Sequence, residues 1–181
     1  MLIGLVLCGG ESRRMGSDKG LLLQAGVPWA LYVGRKLLSR MPVYYSIRPA
    51  QQEAYAAILP AERLIPDALD IDGPLNGLLS AHRRMPEQDI LLVACDMLDV
   101  DEATIGRLVT AWQAGGVSGP DADFLAYGDE RLWQPFCSIY TSRGLRKATA
   151  RDSLQSLLRA GRTQGLPITD PAAFANYNSL G

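Results

Sequence analysis

An uninterrupted apolar run at residues 1–8 opens directly into a loop that is rich in glycine and positive charge. A short apolar run without alternation predicts a strand that is buried on both faces, as in a parallel sheet covered by helices. Glycine allows backbone N–H groups to approach an anion closely. The loop combines such glycines with basic side chains, namely Gly9, Gly10 and Gly16 with Arg13, Arg14 and Lys19. The sequence therefore predicts an α/β fold with a phosphate-binding loop after its first strand.

Two common phosphate-binding templates do not fit this loop. The P-loop pattern has four residues between its glycines and a lysine directly after the second glycine. Here five residues separate Gly10 from Gly16, and two more precede Lys19. The dinucleotide fingerprint G-x-G-x-x-G is also absent, because Gly9 and Gly10 are adjacent. The pattern that remains is L-x-G-G-x-S-x-R-M-G-x-D-K.

Strand-like and helix-like segments alternate along the rest of the chain. Further strands are expected at residues 42–47, 63–65, 90–95, 122–127 and 132–140. Helices are expected at residues 28–41, 51–59, 74–85, 101–114 and 154–160. This alternation predicts a three-layer α/β/α sandwich around a mostly parallel, Rossmann-like sheet. With no repeat and no long linker, we expect residues 1–181 to form a single domain.

Composition excludes several classes of protein. A net charge of −1 argues against a nucleic-acid binder, and no apolar run approaches the roughly 18 residues of a membrane span. The first strand begins at once, without a basic leader or cleavage site, so we expect a cytoplasmic protein that contacts no membrane. The cysteines Cys8, Cys95 and Cys137 lie in apolar surroundings without C-x-x-C spacing, which predicts buried free thiols.

Asp96 directly follows the apolar run at residues 90–95, at the carboxyl end of an expected central strand. Open α/β sheets bind ligands at that edge, so Asp96 would face the same crevice as the loop after the first strand. Mg²⁺ prefers one or two carboxylates together with phosphate oxygens and water. We therefore expect Asp96 to hold Mg²⁺. Capping of the next helix is the alternative, although Asp99 and Asp101 are better placed for it.

The loop pattern resembles the signature of the molybdenum cofactor guanylyltransferases, within the wider nucleotidyltransferase group. Its short R-M-G-x-x-K spacing favours that branch over the R-M-x-x-x-x-P-K pattern of the sugar-nucleotide and cytidylyl enzymes. Similar motifs follow in the family's order, namely Asp67, Gly73-Pro74-Leu75-Asn76-Gly77, Cys95-Asp96-Met97, Gln134-Pro135 and Phe174-x-Asn176-x-Asn178-Ser179. Cys8 and Asn76 stand where the family usually has alanine. The resemblance implies a fold of the nucleotide-diphospho-sugar transferase type.

The resemblance further implies transfer of GMP from GTP to the terminal phosphate of molybdenum-molybdopterin, with Mg²⁺ as cofactor and pyrophosphate as second product. Because the acceptor phosphate is already ionised, this reaction needs no dedicated general base. Catalysis would fall to Arg14, Lys19 and Asp96. Nucleotide binding would fall to the backbone of Leu7, Cys8, Gly9 and Gly10 and to the side chains of Lys19, Asp67 and Asp96. Contact with the pterin would fall to Gln134, Asn176 and Asn178.

Several alternatives stay open at this stage. The chain is alternatively a cytidylyl- or sugar-nucleotide transferase of the same fold, or a non-catalytic module that binds a nucleotide or pterin and hands it to target enzymes. Asp67 is equally a turn residue, and Asn76 either makes a polar contact or faces solvent. We expect transient contact with cofactor-delivery proteins or apo-molybdoenzymes, and none with nucleic acid. The single histidine, His82, is expected to be structural.

Overall fold

The fold comes from a computed structural model that describes residues 1–9, 18–116, 122–129, 131–175 and 177. In chain order the strands are β1 (Leu2–Leu7), β2 (Leu23–Gln24), β3 (Val27–Pro28), β4 (Val43–Ile47), β5 (Leu64–Pro66), β6 (Asp89–Ala94), β7 (Phe124–Asp129), β8 (Leu132–Tyr140) and β9 (Thr163–Leu166). The α-helices are α1 (Trp29–Leu38), α2 (Gln52–Ala56), α3 (Pro74–Arg84), α4 (Glu102–Ala111), α5 (Ser142–Leu145) and α6 (Leu154–Ala160).

Seven of these strands form one sheet, in which a single strand is reversed. The order is β5-β4-β1-β6-β8-β7-β9, while β2 and β3 pair in a separate ribbon. β1 runs parallel to both of its neighbours, and its Leu7 pairs with Ser46 of β4 and with Ala94 of β6. β8 pairs in the antiparallel sense with β6 and with β7. The carboxyl ends of β1, β4, β5 and β6 consequently lie along one edge of the sheet, together with the start of β8.

Alternate side chains of the central strands bury two separate apolar cores. In β1, Leu2 and Val6 belong to one core, whereas Ile3 and Leu5 belong to the other. This alternation follows from the period of two in a strand, which points successive side chains to opposite faces. Helices α1, α2 and α4 cover the first face, and α3, α5 and α6 cover the second. The predicted three-layer α/β/α sandwich is confirmed.

Every strand and helix that the sequence predicts is present. The bounds of β8 and α6 are as predicted, and the ends of the others differ by one to a few residues. The helix predicted over residues 101–114 begins as expected, because the Asp101 carboxylate accepts a hydrogen bond of 2.6 Å from the Thr104 N–H. Asp99 does not cap this helix and instead accepts a hydrogen bond from the Tyr177 hydroxyl. The sequence does not predict β2, β3, α5 or β9.

A buried carboxylate joins β7 to the elements that follow it. Asp123 is 3 % exposed and accepts hydrogen bonds from Lys147 Nζ at 2.8 and 2.9 Å. Arg143 Nε and Arg162 Nε lie 3.4 and 3.8 Å from its oxygens. Burial alone would raise the pKa of Asp123, but Lys147 and Arg162 outweigh burial and lower it. The cluster therefore holds an ionised carboxylate in place beneath the surface.

All three cysteines are buried free thiols, as the sequence predicts. None of the helices in the described part of the chain combines the length and the apolar character that crossing a bilayer requires.

Candidate active site

Backbone hydrogen bonds beyond the strand ends bring three separate segments to the carboxyl edge of the sheet. The Cys8 N–H donates to the Ser46 carbonyl at 2.9 Å, and the Cys95 N–H donates to the Leu7 carbonyl at 3.0 Å. The Asp67 N–H donates in turn to the Ile47 carbonyl at 2.8 Å. These bonds continue the parallel pairing past β1, β5 and β6. Gly9, Asp67 and Asp96 consequently lie along one edge, as their places after successive strands predict.

Part of the backbone that the sequence assigns to nucleotide binding forms hydrogen bonds between strands of the sheet. Because the Cys8 N–H bonds Ser46, it is not free to donate to a phosphate. The Leu7 carbonyl is likewise occupied by Cys95. The Cys8 N–H is thus engaged in the strand pairing, and contact of the Leu7 and Cys8 backbone with a nucleotide stays a prediction. Leu7 and Cys8 form the floor of the site, and Gly9 is the first residue after them that has left the strand pairing.

Asp67 faces Gly9 across the edge of the sheet. A Cβ built on Gly9 would lie 3.4 Å from Asp67 Oδ2 and 3.5 Å from Arg48 Cγ. The Ser46 hydroxyl donates to Asp67 Oδ1 at 3.3 Å. Burial raises the pKa of Asp67, while Ser46 and the Arg48 charge partly oppose that rise. Asp67 is therefore a half-buried carboxylate beside a glycine, rather than a turn residue in solvent.

The raised pKa of Asp67 predicts a stability change with a definite pH dependence. Because the folded chain holds the Asp67 proton more tightly than the unfolded chain, the wild type loses stability as pH rises through the titration of Asp67. Asp67→Asn removes that loss and keeps an oxygen that accepts from Ser46. We expect the Tm advantage of Asp67→Asn to grow between about pH 3 and about pH 7. Thermal unfolding across this range measures it, and a variant that is less stable at neutral pH would contradict the assignment.

Lys19 and Asp96 meet at the end of β6. Lys19 Nζ lies 3.1 Å from Asp96 Oδ2, and the two side chains are 21 % and 17 % exposed. Lys19 begins a single 3₁₀ turn, Lys19–Leu21, whose start is capped by the Asp18 carboxylate. Asp96 follows β6 in the short turn before α4. A cation from the first loop and a carboxylate from a distant strand therefore occupy the same point of the edge.

The residues around Asp96 suit Mg²⁺ better than a transition metal. Within the described ranges, no three histidine, cysteine or acidic side chains cluster as a metal cage would require. Mg²⁺ usually keeps several waters and takes one or two carboxylates plus substrate phosphates, so a single partly exposed aspartate is a suitable protein ligand. The thiol of the neighbouring Cys95 is buried. The donor set therefore fits Mg²⁺ that arrives with a phosphate-bearing substrate.

The glycine-proline motif starts α3 and packs this helix against the site. Gly73 has φ 84°, a left-handed conformation that favours glycine, and Pro74 occupies the first helical turn. A Cβ on Gly77 would overlap the Ser46 hydroxyl and would lie 2.7 Å from Leu7 Cδ2. Gly77 therefore permits α3 to approach the ends of β1 and β4 closely.

Asn76 is buried, which settles the alternative that the sequence left open. Its amide nitrogen donates to the carbonyls of Leu69 and Ile71 at 2.7 and 2.8 Å. Its oxygen accepts from the Leu69 N–H at 3.2 Å and from the Ser80 hydroxyl at 3.1 Å. Ser80 also accepts from the Ala68 N–H at 2.9 Å. Asn76 and Ser80 thus hold the loop that directly follows Asp67.

Loss of the Asn76 side chain is expected to destabilise the protein. Asn76→Ala removes the hydrogen bonds to this loop, and we expect the free energy of unfolding to fall by about 2–3 kcal/mol. Ser80→Ala, which removes fewer bonds, is expected to cost about 1 kcal/mol. Urea unfolding of the wild type and both variants measures the difference. Equal unfolding free energies for wild type and Asn76→Ala would contradict this role.

The end of the described chain returns to Asp96. The Tyr177 N–H donates to the Asp96 carbonyl at 3.1 Å, and the Phe174 ring packs edge-on against Tyr127, with centroids 5.1 Å apart. Gln134 lies near the start of β8 and pairs with Tyr127 of β7. Because β8 is reversed, Gln134 lies at the same edge of the sheet as Asp96. The predicted pterin-side segments therefore reach the edge that carries Lys19.

Some predicted site residues lie outside the described residues, namely Gly10, Arg14, Asn176 and Asn178. The Arg48 backbone turns away from β4 and its side chain is exposed beside Asp67. His82 lies in the last turn of α3, where burial lowers its pKa, and its Nδ1 has no partner among the described residues. Burial also raises the pKa of Cys8, which keeps its thiol protonated. Neither His82 nor Cys8 is therefore placed as an acid, a base or a nucleophile.

Comparison with known proteins identifies relatives of this fold. Residues 4–166 match the family model described as the MobA-like NTP transferase domain. The chain is 32% identical to the molybdenum cofactor guanylyltransferase of Burkholderia vietnamiensis over 187 residues, 98% of this chain and 91% of that one. It is 31% identical to the molybdenum cofactor biosynthesis bifunctional protein of Synechocystis over 157 residues, 84% of this chain and 43% of that one. The chain thus spans less than half the length of that relative.

The solved structures include a close match in fold. The molybdopterin-guanine dinucleotide biosynthesis protein A of Archaeoglobus fulgidus superposes with a TM-score of 0.77 and 21% sequence identity, over 99% of this chain and 93% of that one. At this level of identity the match supports the shared architecture.

Proposed function

Because the chain belongs to the MobA-like NTP transferase family, we propose that it transfers GMP from GTP to the terminal phosphate of molybdopterin that carries molybdenum. An oxygen of the acceptor phosphate forms a bond to the α-phosphorus of GTP. The bond from that phosphorus to the bridging oxygen breaks, and pyrophosphate leaves. Molybdopterin guanine dinucleotide is the other product. Relatives of similar length, such as the Burkholderia protein, carry the name molybdenum cofactor guanylyltransferase.

The contact between Lys19 and Asp96 carries this proposal. The two side chains come from the most specific motifs of the sequence, which lie 77 residues apart along the chain. In the fold they approach to 3.1 Å at the edge where the first loop begins. Transfer of a nucleotidyl group demands charge neutralisation and alignment more than covalent chemistry from the protein. A lysine and a carboxylate at one point of a ligand-binding edge meet that demand.

Each residue then has a distinct task. Lys19, together with Arg14 from the loop, stabilises negative charge on the α-phosphate and on the departing pyrophosphate. Gly9 leaves room for the nucleotide beside Asp67, which contacts the nucleoside portion. This reaction needs no base, because an ionised acceptor phosphate has no proton to lose at the attacking oxygen. The protonated thiol of Cys8 and the distant His82 agree with that requirement.

Asp96 is the residue that would hold Mg²⁺. Mg²⁺, when bound, supplies charge neutralisation for the triphosphate and reduces repulsion toward an anionic acceptor. The Asp96 backbone is held in the turn after β6 by the Tyr177 N–H, which donates to the Asp96 carbonyl. Lys19 Nζ balances the charge of this carboxylate through its contact with Oδ2.

The acceptor would lie toward β8 and the C-terminal segment. Gln134 lies at the edge of the sheet that carries Asp96. Tyr177 lies in sequence between the two asparagines of the predicted motif, Asn176 and Asn178. Amide side chains both donate and accept hydrogen bonds, which suits a polar pterin and its phosphate. We propose that these amides contact the pterin and that the whole chain, residues 1–181, works as one nucleotidyltransferase domain.

A thermal-shift panel tests the nucleotide assignment. A ligand that binds the folded chain raises its Tm according to its concentration relative to Kd. With Mg²⁺ present, we expect GTP to raise the Tm more than CTP, ATP or UTP at equal concentration. A larger shift with CTP would support a cytidylyltransferase instead. No shift with any of the four would contradict nucleotide binding.

A further inference from the structure

One buried polar network joins the described ends of the first loop through two side chains, Gln51 and Tyr55, that have no role in the site described above. The loop leaves β1 after Cys8 and rejoins the described chain at Asp18, directly before Lys19. We propose that Gln51 and Tyr55 are positioning residues that clamp these two ends together and fix the backbone that carries Lys19. This inference rests on the proposed role of Lys19.

Gln51 contacts both ends of the loop with one amide group. Its Nε2 donates to the Asp18 carboxylate and, through a longer hydrogen bond of 3.4 Å, to the Cys8 carbonyl. Its Oε1 accepts from the Arg48 N–H at 2.7 Å, which fixes the direction of the amide. The side chain is 7 % exposed, so this arrangement is built into the interior. Gln51 therefore joins the start of the loop, its end and the turn after β4.

Tyr55 reaches the same carboxylate from α2. Its hydroxyl donates to Asp18 Oδ1 at 3.0 Å, and the Gly20 N–H donates to the same oxygen at 3.0 Å. Tyr55 is fully buried, and burial raises the pKa of its hydroxyl, so the hydroxyl keeps its proton to donate. A Cβ on Gly20 would overlap this hydroxyl. Glycine at position 20 thus makes room for the tyrosine under the turn that begins with Lys19.

The hydrogen bonds of this network converge on Asp18, the residue directly before Lys19. Asp18 accepts from Gly20, Gln51 and Tyr55, and its own carbonyl accepts from the Leu21 N–H at 3.1 Å. Side chain and backbone of Asp18 are therefore both held, and Lys19 is the next residue. Hydrogen bonds that hold Asp18 in place before a ligand binds lower the conformational entropy that binding costs at Lys19. A clamp of this kind acts on ligand affinity and on Lys19, beyond its share in stability.

Exchange of donor and acceptor tests the clamp. Gln51→Glu places a carboxylate against Asp18, and Asp18→Asn places an amide against the Gln51 amide. In the double variant Gln51→Glu/Asp18→Asn the amide and the carboxylate have changed places, so a hydrogen bond between positions 18 and 51 is possible again. Tyr55→Phe removes only the hydroxyl and is the gentler variant should Gln51→Glu fail to fold. Tyr127→Phe is the matched control, because its buried hydroxyl donates to the Thr104 carbonyl in α4.

Three quantities are measured for each variant: the Tm, the Kd of the nucleoside triphosphate that stabilises the wild type most, and kcat for pyrophosphate release with molybdenum-molybdopterin. We expect Tyr55→Phe and each single exchange to weaken nucleotide binding by about tenfold, the factor of one lost hydrogen bond to a charged group. We expect the double variant to regain most of that loss. Tyr127→Phe is expected to lower the Tm similarly and to leave Kd and kcat unchanged.

Equal nucleotide Kd values for Tyr55→Phe and Tyr127→Phe would contradict the proposed clamp. A double variant that binds nucleotide no more tightly than the weaker of the two single exchanges would contradict it as well. A wild type that binds nucleotide but releases no pyrophosphate would contradict the proposed function alone, because the ratios of Kd still report the clamp.

Discussion

Replacement of Lys19 by alanine is expected to remove most of the turnover while the fold survives. Lys19 is the described cation nearest to Asp96, 3.1 Å away, and in the proposed reaction it meets the developing charge on the phosphates. Loss of one such group typically lowers kcat by about 10²–10³-fold. The fold is expected to persist, because the pair lies at the edge of the sheet, where water can reach the carboxylate that Lys19→Ala leaves behind. Steady-state pyrophosphate release and thermal unfolding measure the two effects.

Lys147→Ala is the matched control for this experiment. Lys147 also pairs with an aspartate, at 2.8 Å from Asp123, but it lies after α5 and away from the carboxyl edge. We expect this control to keep wild-type kcat. Lys19→Arg retains the charge and is expected to retain part of the turnover. Near-normal turnover of Lys19→Ala would remove Lys19 from the mechanism.

Asp96→Asn is expected to abolish Mg²⁺-dependent turnover. Asparagine has the same shape and still offers an oxygen to Lys19, so the substitution removes the negative charge with little change in packing. A neutral amide is a poor ligand for Mg²⁺, and we expect kcat to fall by at least about 10²-fold. Titration of turnover with Mg²⁺ at saturating GTP measures the loss.

Asp99→Asn controls for charge in the same turn. Asp99 lies three residues after Asp96 and is exposed. It accepts a hydrogen bond from the Tyr177 hydroxyl, and the side-chain oxygen of an asparagine at this position accepts the same bond. We expect this variant to keep the wild-type Mg²⁺ titration. An unchanged titration in Asp96→Asn would contradict the assignment of Asp96 as the metal ligand.

Strong local patterns made the central architecture predictable. The apolar runs at residues 1–8 and 90–95 are strands that are buried on both faces, and the helix start at Asp101 has a capping side chain that needs no tertiary information. The elements that were missed are short or weakly patterned. α5 has four residues, and β9 reads Thr-Gln-Gly-Leu with exposed residues at its centre. Their existence depends on the surrounding fold, including the Asp123 cluster.

Site residues were predictable where a motif placed them at the end of a strand. Lys19, Asp67 and Asp96 follow strands whose carboxyl ends meet at one edge, so sequence position and sheet topology together bring them near each other. The roles of Gln51 and Asn76 were not predictable in this way, because each depends on backbone groups that only the folded chain brings within reach. The sequence likewise does not show that the Cys8 N–H donates to the Ser46 carbonyl.

The most direct test of the proposed function is pyrophosphate release by the purified chain with Mg²⁺, molybdenum-molybdopterin, and either GTP or CTP. The proposal predicts release with GTP that depends on the acceptor, and formation of molybdopterin guanine dinucleotide in equal amount, with CTP giving far less. Release that favours CTP, or no release with GTP although GTP binds, would contradict guanylyl transfer as the function of this chain.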